Sequence, residues 1–315
     1  MEKGMTKARR LTLRQLEYMV AVGDANSVLA AAERLNVSSS SISAAISHLE
    51  AELGVQLFVR QHARGLHLTA GGQRIFKEAK HILQSVASLG DVANDIVEGV
   101  RGRITVGCLV TLAPIVSAAI RRSFVDQHPD AEVVMREGDQ TELLDMLARA
   151  EIDIAITYDL EIPGEYEFDG LISLPPQVIL APGHPLANGD EIDLADLCEE
   201  PMVLLDLPLS SDYFLSLFHN QGLRAHVAER VANLSSLRSL VANGFGYGLI
   251  NVRTKTDLAP DGETLVFRGL KGEHRPMVCG LATVRSDYKS RIITAFAEHV
   301  RDRVASSGLP GMSWR

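Results

Sequence analysis

The side chains of this 315-residue chain that could do chemistry fall into two groups. The first is a run of hydroxyls, Ser38, Ser39, Ser40, Ser41 and Ser43, continued by Ala44, Ser47 and His48. At the opening of a helix, small polar side chains let the first turn approach a polyanion, and free backbone N–H groups there favour phosphate. Ser27, Arg34, Arg60, His62 and Arg64 flank this run and add donors or positive charge suited to a nucleic-acid backbone. The second group sits where apolar, strand-like runs end: Thr111; Asp139, Gln140 and Thr141; Tyr158 and Asp159; Ser210 and Ser211; Asn233 and Ser235; and Asn251. In α/β sheets, ligands collect at the carboxyl ends of strands, near helix N-termini. Each of these residues alone is more simply a helix cap, and only their shared position gives the set weight. Converging N-termini would favour a small carboxylate or another anion. Asp139, Asp159 and Asp206 would oppose one, or accept from hydroxyl and amino groups.

Other chemistries lack their residues. No G-x-S-x-G elbow or P-loop occurs, and no second His or Cys stands at ligand spacing from His184. GFGYG (244–248) follows a helical pattern and precedes a strand, the reverse of the dinucleotide-binding order, so it reads as a cap and turn. No enzyme, metal or cofactor is expected. Cys108, Cys198 and Cys279 are odd in number and widely spaced, which suits buried thiols in a reducing cytosol. The basic stretch MEKGMTKARRLTLRQ lacks the apolar core of a secretory signal, and no apolar run is long enough to span a membrane. A cytoplasmic location is expected.

The elements that must position the first group are legible from spacing. Residues 13–25 place Leu16, Met19, Val20 and Ala21 at helical intervals behind Thr12, a suitable N-cap. SVLAAAERLNV gives a second helix and a tight turn, and the serine cluster starts a third that runs to Gly54. This is a helix-turn-helix arrangement, although a purely structural three-helix bundle fits the same spacing. VQLFVRQHARGLHLT then reads as two short strands with a basic tip, a hairpin wing.

The stretch AAERLNVSSSSISAAISHLEAELGVQLFVR, followed by LHLTAGG, resembles the LysR-type transcriptional regulators over residues 11–72. The resemblance implies a winged helix-turn-helix whose third helix enters the major groove. Where that family commonly carries Gln with Pro or Ser, this chain has Ser39 and Ser40, and where Arg and Gln are common it has Ala44 and Ala45. The docking mode carries over; the base preference does not.

From Thr69 to Gly99, Ile75, Ile82, Leu89 and Ile96 recur every seven residues, with Ala79, Val86 and Ala93 four after each of the first three. This is an a/d seam, and in the resembled family the segment is a linker helix that pairs two DNA-binding domains. A helix packed on its own domain would show a similar stripe.

After residue 100, strand and helix patterns alternate, which predicts two α/β units with parallel sheets and a cleft between them, as in periplasmic-binding-protein folds. The expected division is 1–68 winged domain, 69–100 linker helix and 101–315 effector domain. Within the last, subdomain I takes about 101–172 and 281–315, and subdomain II about 173–280. Charge follows the same division: residues 1–103 hold 13 basic against 10 acidic side chains, while the rest hold 18 against 30. The acidic total of −9 therefore does not argue against a DNA-binding N-terminus.

The resemblance implies promoter DNA, a small-molecule effector, a second or fourth copy of the chain and RNA polymerase as partners. It also implies an effector near Thr111 and the segment after Gly138. A metabolite-binding protein of the solute-receptor kind is the alternative, opposed by residues 11–68. A thiol-based sensor is a further one. The family's peroxide sensors pair cysteines where this chain has Ser210 and Ser211, so only Cys198 keeps that reading open.

Overall fold

The computed structural model describes residues 11–61, 65–95, 99–286 and 289–312. The chain forms two compact units that part between Ile96 and Val97.

The first unit contains α1 (Leu13–Ala25), α2 (Val28–Leu35), α3 (Ser39–Leu53), β1 (Phe58–Gln61), β2 (Gly65–Leu68) and α4 (Ala70–Asp95). Local caps fix every boundary of the helix-turn-helix. Thr12 and Gln15 form a reciprocal capping box, and Ser27 and Ser38 accept from the third backbone N–H beyond them. Asn26, Asn36 and Gly54 end the three helices in the left-handed region. Leu16, Met19 and Val22 of α1 meet Ala32, Ile42, Leu49, Leu57 and Phe76 in one core.

The wing is held by side chains from α3 and from the start of α4. Glu50 Oε1 accepts from Leu57 N at 2.7 Å and Phe58 N at 3.3 Å, tying the end of α3 to β1. Thr69 Oγ1 donates to the Gln56 carbonyl at 2.7 Å and accepts from Gly72 N at 2.9 Å, capping α4 against the segment that leads into β1. A Cβ on Gly72 would lie 2.1 Å from the Leu57 carbonyl oxygen, so the helix docks this closely only with glycine there.

The second unit is built from β3 (Gly102–Leu109), α5 (Ala113–Gln127), β4 (Ala131–Gly138), α6 (Gln140–Ala148), β5 (Ile154–Tyr158), β6 (Tyr166–Leu174), β7 (Gln177–Leu180), β8 (Glu191–Ile192), β9 (Pro201–Leu205), α7 (Ser210–His219), β10 (His226–Val231), α8 (Leu234–Ala242), β11 (Gly248–Ile250), β12 (Val266–Leu270), β13 (Met277–Val284) and α9 (Arg291–Ser307). The first subdomain is a five-stranded sheet, β4-β3-β5-β13-β6. The second joins a sheet of order β11-β7-β12-β8 to the pair β10-β9 through the Met202–Tyr247 bridge.

One expectation is corrected. The sheets are mixed rather than parallel: β13 returns antiparallel to β5 and β6, and β11 and β12 both run antiparallel to β7. A return strand placed between two others need not keep the crossover direction of the βαβ units that precede it. Strand β6 runs to Leu174 and β13 starts at Met277, so the segments that link the two sheets are Pro175–Pro176 and residues 271–276.

GFGYG is the turn expected. Gly246 sits at φ 141°, and a Cβ there would meet the Pro201 carbonyl oxygen at 2.0 Å.

Candidate functional site

The third helix has two unlike faces. Ile42, Ile46 and Leu49 point into the core, while Ser40, Ser41, Ser43, Ala44, Ser47 and His48 are exposed. The outward face therefore carries hydroxyls, one methyl and one imidazole. Ser38 caps the helix and shares hydrogen bonds with the Ser40 and Ser41 hydroxyls at 2.9 and 2.7 Å, and Ser39 is half-buried. Ser27 caps α2. Arg34 is exposed and reaches Asp24 at 3.6 Å, a distance and exposure that leave it free to reorient. Arg60 pairs with Leu66 in the wing ladder. His62 and Arg64, expected at the wing tip, lie outside the described residues.

In α4 the expected seam divides. Ala79 is buried against its own domain with Phe76, and Ile75 and Leu83 pack on that core. The stripe at its start thus serves intradomain packing, which corrects the assignment of Ala79 to a pairing surface: a side chain 1% exposed has nothing left to offer a partner. Ile82 and Val86 are 43% and 38% exposed. The side chains of Leu89 and Ala93, and all of Ile96, lie outside the described residues.

Between the two α/β subdomains is a cavity of about 20 Å³ lined by Thr111, Tyr158, Ser210 and Asn251 together with Leu205, Phe214, Leu234, Ile250, Val252 and Met277. Four of the strand-end residues singled out from sequence thus meet around one space. Thr111 follows β3, Tyr158 ends β5, Ser210 opens α7 and Asn251 follows β11. The six apolar residues were not anticipated, since nothing in an apolar strand or helix separates a pocket wall from an ordinary core position.

Polar capacity around this space is unevenly used. Asn251 Nδ2 donates to the Leu174 carbonyl at 2.7 Å and, more weakly, to the Tyr213 hydroxyl at 3.4 Å. Its Oδ1 is buried and has no hydrogen-bond partner. Thr111 Oγ1 is likewise buried, with the Tyr158 phenol beside it but in no well-formed hydrogen bond. Burial pushes the Tyr158 phenol far up, so it stays protonated. Leu209, just before Ser210, has φ 63° and ψ −33°, a strained backbone for a residue with a Cβ.

The remaining strand-end residues do other work. Gln140 is fully engaged: its amide donates to the Tyr158 and Leu160 carbonyls at 3.0 Å each, and its oxygen accepts from Thr157 Oγ1. Asp139 and Glu142 cap α6 reciprocally. Asp159 accepts from Val278 N at 2.8 Å and pairs with Arg275 at 3.0 Å. Asn233 caps α8, the Ser211 hydroxyl donates to the Leu207 carbonyl, and Thr141 and Ser235 are exposed. These seven serve as caps, braces and surface and do not line the cavity: a strand end is also where the next helix begins, and capping consumes the same residue types.

Cys108 and Cys279 are wholly buried, and desolvation pushes the Cys108 thiol up to about 12 and Cys279 higher still. Both are therefore unreactive thiols at neutral pH. Cys198 is half-buried and directs its Sγ toward the Leu194 carbonyl. Among the described residues no group of His, Cys, Asp or Glu could hold a metal ion, and no helix is long and apolar enough to cross a membrane.

A winged helix-turn-helix in one unit and a two-subdomain, periplasmic-binding-protein-like α/β fold in the other define a class of DNA-binding transcriptional regulator with an effector-type domain. The description "LysR substrate binding domain" matches residues 98–305, and "Bacterial regulatory helix-turn-helix protein, lysR family" matches residues 13–73. The chain belongs to the LysR family of transcriptional regulators. It is similar to the uncharacterized HTH-type transcriptional regulator YvbU of Bacillus subtilis (strain 168), 30% identical over 261 residues, covering 82% of this chain and 88% of that one. A crystal structure of a LysR family regulator from Pseudomonas aeruginosa, 30% identical, matches with a TM-score of 0.63 over 93% of this chain and 99% of that one. The C-terminal domain of a LysR family regulator from Rhodococcus sp. RHA1 is 34% identical, with a TM-score of 0.61, over 64% of this chain and 99% of that domain.

Proposed function

We propose that this regulator binds promoter DNA as a dimer or tetramer through paired winged domains, and that a small effector held in the Thr111–Asn251 cavity changes its grip on the promoter. The effector half of this reading rests on one observation. Two polar atoms, Thr111 Oγ1 and Asn251 Oδ1, are buried without a well-formed hydrogen bond at a cavity between the subdomains, where an unmade hydrogen bond costs about 1–3 kcal/mol. An occupant that supplies those bonds stabilises the arrangement that contains it. At about 20 Å³ the space holds a single water, so a metabolite enters only as the subdomains part. The DNA half is supported by the outward small-residue face of α3, and the pairing by exposed Ile82 and Val86. Two-fold pairing would set the half-sites about one helical turn apart.

The test is a metabolite screen by thermal shift on the whole chain, repeated with Thr111→Val. A ligand at 100 times its Kd raises stability by about 2.7 kcal/mol. The reading stands if a hit shifts the melting temperature, alters operator binding and loses affinity in the variant. Hits insensitive to Thr111→Val would place the effector elsewhere.

A further inference from the structure

We infer that the effector is an uncharged molecule with an apolar body and at least one N–H or O–H donor, of the alcohol, phenol or carboxamide type, and not a carboxylate or other anion. The inference rests on the cavity reading above and names the chemistry the cavity accepts.

The orientation of Asn251 decides it. An amide can be turned end for end, but its neighbours forbid the flip. The Leu174 carbonyl, 2.7 Å away, can only accept, so the atom facing it must be Nδ2. The atom left unpartnered is then Oδ1, which can only accept. Asn251 is 92% buried, and that oxygen is shielded from solvent. A ligand completes it by bringing a donor. A carboxylate would set a second acceptor against it in a space of low dielectric, where the repulsion is least screened.

The other lining groups agree. No Lys, Arg or His lines the cavity among the described residues. Arg275 pairs with Asp159, and Arg238, which donates through Nη2 to the Thr256 and Leu258 carbonyls and lies over Phe267, is not part of the cavity lining. The start of α7 offers little to an anion, because Ser210 N donates to the Pro208 carbonyl at 2.8 Å and Ser211 N to that of Leu207 at 3.0 Å. On α5, Pro114 has no N–H to give. Thr111 and Ser210 supply hydroxyls that both donate and accept, so a ligand hydroxyl or amide can be answered in both senses. The other six lining residues are apolar, which suits a hydrocarbon or aromatic body.

Benzamide, benzyl alcohol and benzoate share one ring and differ in the polar group, so they separate these chemistries. The intact chain is titrated with each at neutral pH, with binding read by thermal shift and by ligand-observed NMR. Benzamide or benzyl alcohol is expected to bind and benzoate not to, at equal concentrations. Thr111→Val keeps the side-chain shape without the hydroxyl, and should weaken the neutral probe about threefold to tenfold, the value of one net hydrogen bond. The folded baseline of that variant is checked by circular dichroism, and Ser210→Ala gives a second test should it fail to fold. Benzoate binding as tightly as the neutral probes, with sensitivity to Thr111→Val, would overturn the inferred class and leave the cavity reading standing. Neutral probes that bind without sensitivity to Thr111→Val or Ser210→Ala, or no binding by any of the three, would overturn both.

Discussion

The Tyr213 hydroxyl donates to the Arg275 carbonyl at 2.6 Å, tying α7 of the second subdomain to one of the two segments that cross between subdomains. The same oxygen accepts from Asn251 Nδ2, and the Arg275 side chain reaches Asp159 at the end of β5. A cavity residue, a crossing segment and the first sheet are thus joined within three contacts. Burial pushes the Tyr213 phenol up, so it remains a donor through the physiological range. Tyr213→Phe should cost about 0.5–1.5 kcal/mol in urea unfolding and should reduce the ligand-induced shift in operator binding. A variant that loses stability yet keeps the full shift would confine Tyr213 to packing.

On the DNA side, Gln15 Oε1 accepts from Thr12 N and Oγ1 at 2.9 and 3.1 Å, which leaves Nε2 to donate to His48 Nδ1 at 3.0 Å. The neutral ring proton is then on Nε2, the far side of the imidazole, as a pre-set donor on the exposed face of α3. His48→Ala is expected to weaken operator binding about threefold to tenfold, and Gln15→Ala less. Fluorescence anisotropy against salt assigns the partner. A phosphate contact lowers the slope by about one, whereas a base contact leaves the slope unchanged and weakens operator DNA more than random DNA.

Position along α4 decides what an acidic substitution does. Ile82→Asp and Val86→Asp should leave the helical signal and melting temperature of the winged domain nearly unchanged and lower the assembly state in sedimentation velocity. Ala79→Asp should instead unfold that domain, since it puts a charge into a core without a partner. Equal behaviour of all three would remove the division of the helix into two functions.

Stability should fall in alkali. Cys108, whose ordinary value is 9.0, is held near 12 by burial, and Cys279 and Tyr158 are also raised. Above pH 9 the unfolded chain loses thiol protons that the folded chain keeps. Each buried thiol therefore removes up to about 1.4 kcal/mol per pH unit as pH rises toward its folded value. Denaturant melts at pH 8, 9 and 10 check this, and Cys108→Ala should flatten the decline. Iodoacetamide on the native chain at neutral pH should label Cys198 alone.

The first unit was legible because its determinants are local. Thr12, Ser27, Ser38, Asn36 and Gly54 mark helix ends through contacts a few residues long, and the wing follows them within a dozen positions. The second unit was legible as a series of elements but not as a sheet. The pairing of β13 with β5 joins Cys279 to Tyr158 across more than a hundred residues, and no local pattern records direction over that span. Strand β6 escaped notice because YEFDGLISL carries Asp169 and Gly170 in its middle and lies at the sheet edge, where polar residues are tolerated. In the cavity, Thr111 and Asn251 looked no different in sequence from Asp139 and Asn233. Only the partners each finds in three dimensions separate an open acceptor from a spent one.

Helix α4 runs unbroken and without proline from Ala70 to Asp95, and its early turns are wedged into the winged domain by Phe76, Ala79 and Gly72. That makes it a lever with a fixed end. Were two copies to cross near Ile82 and Val86, a few degrees of change at that pivot would swing each winged domain as a solid body and shift the two α3 helices by ångströms. A groove repeat tolerates little such displacement. A regulator of this construction would need no unfolding, and no rearrangement inside its helix-turn-helix, to release one operator spacing and take up another.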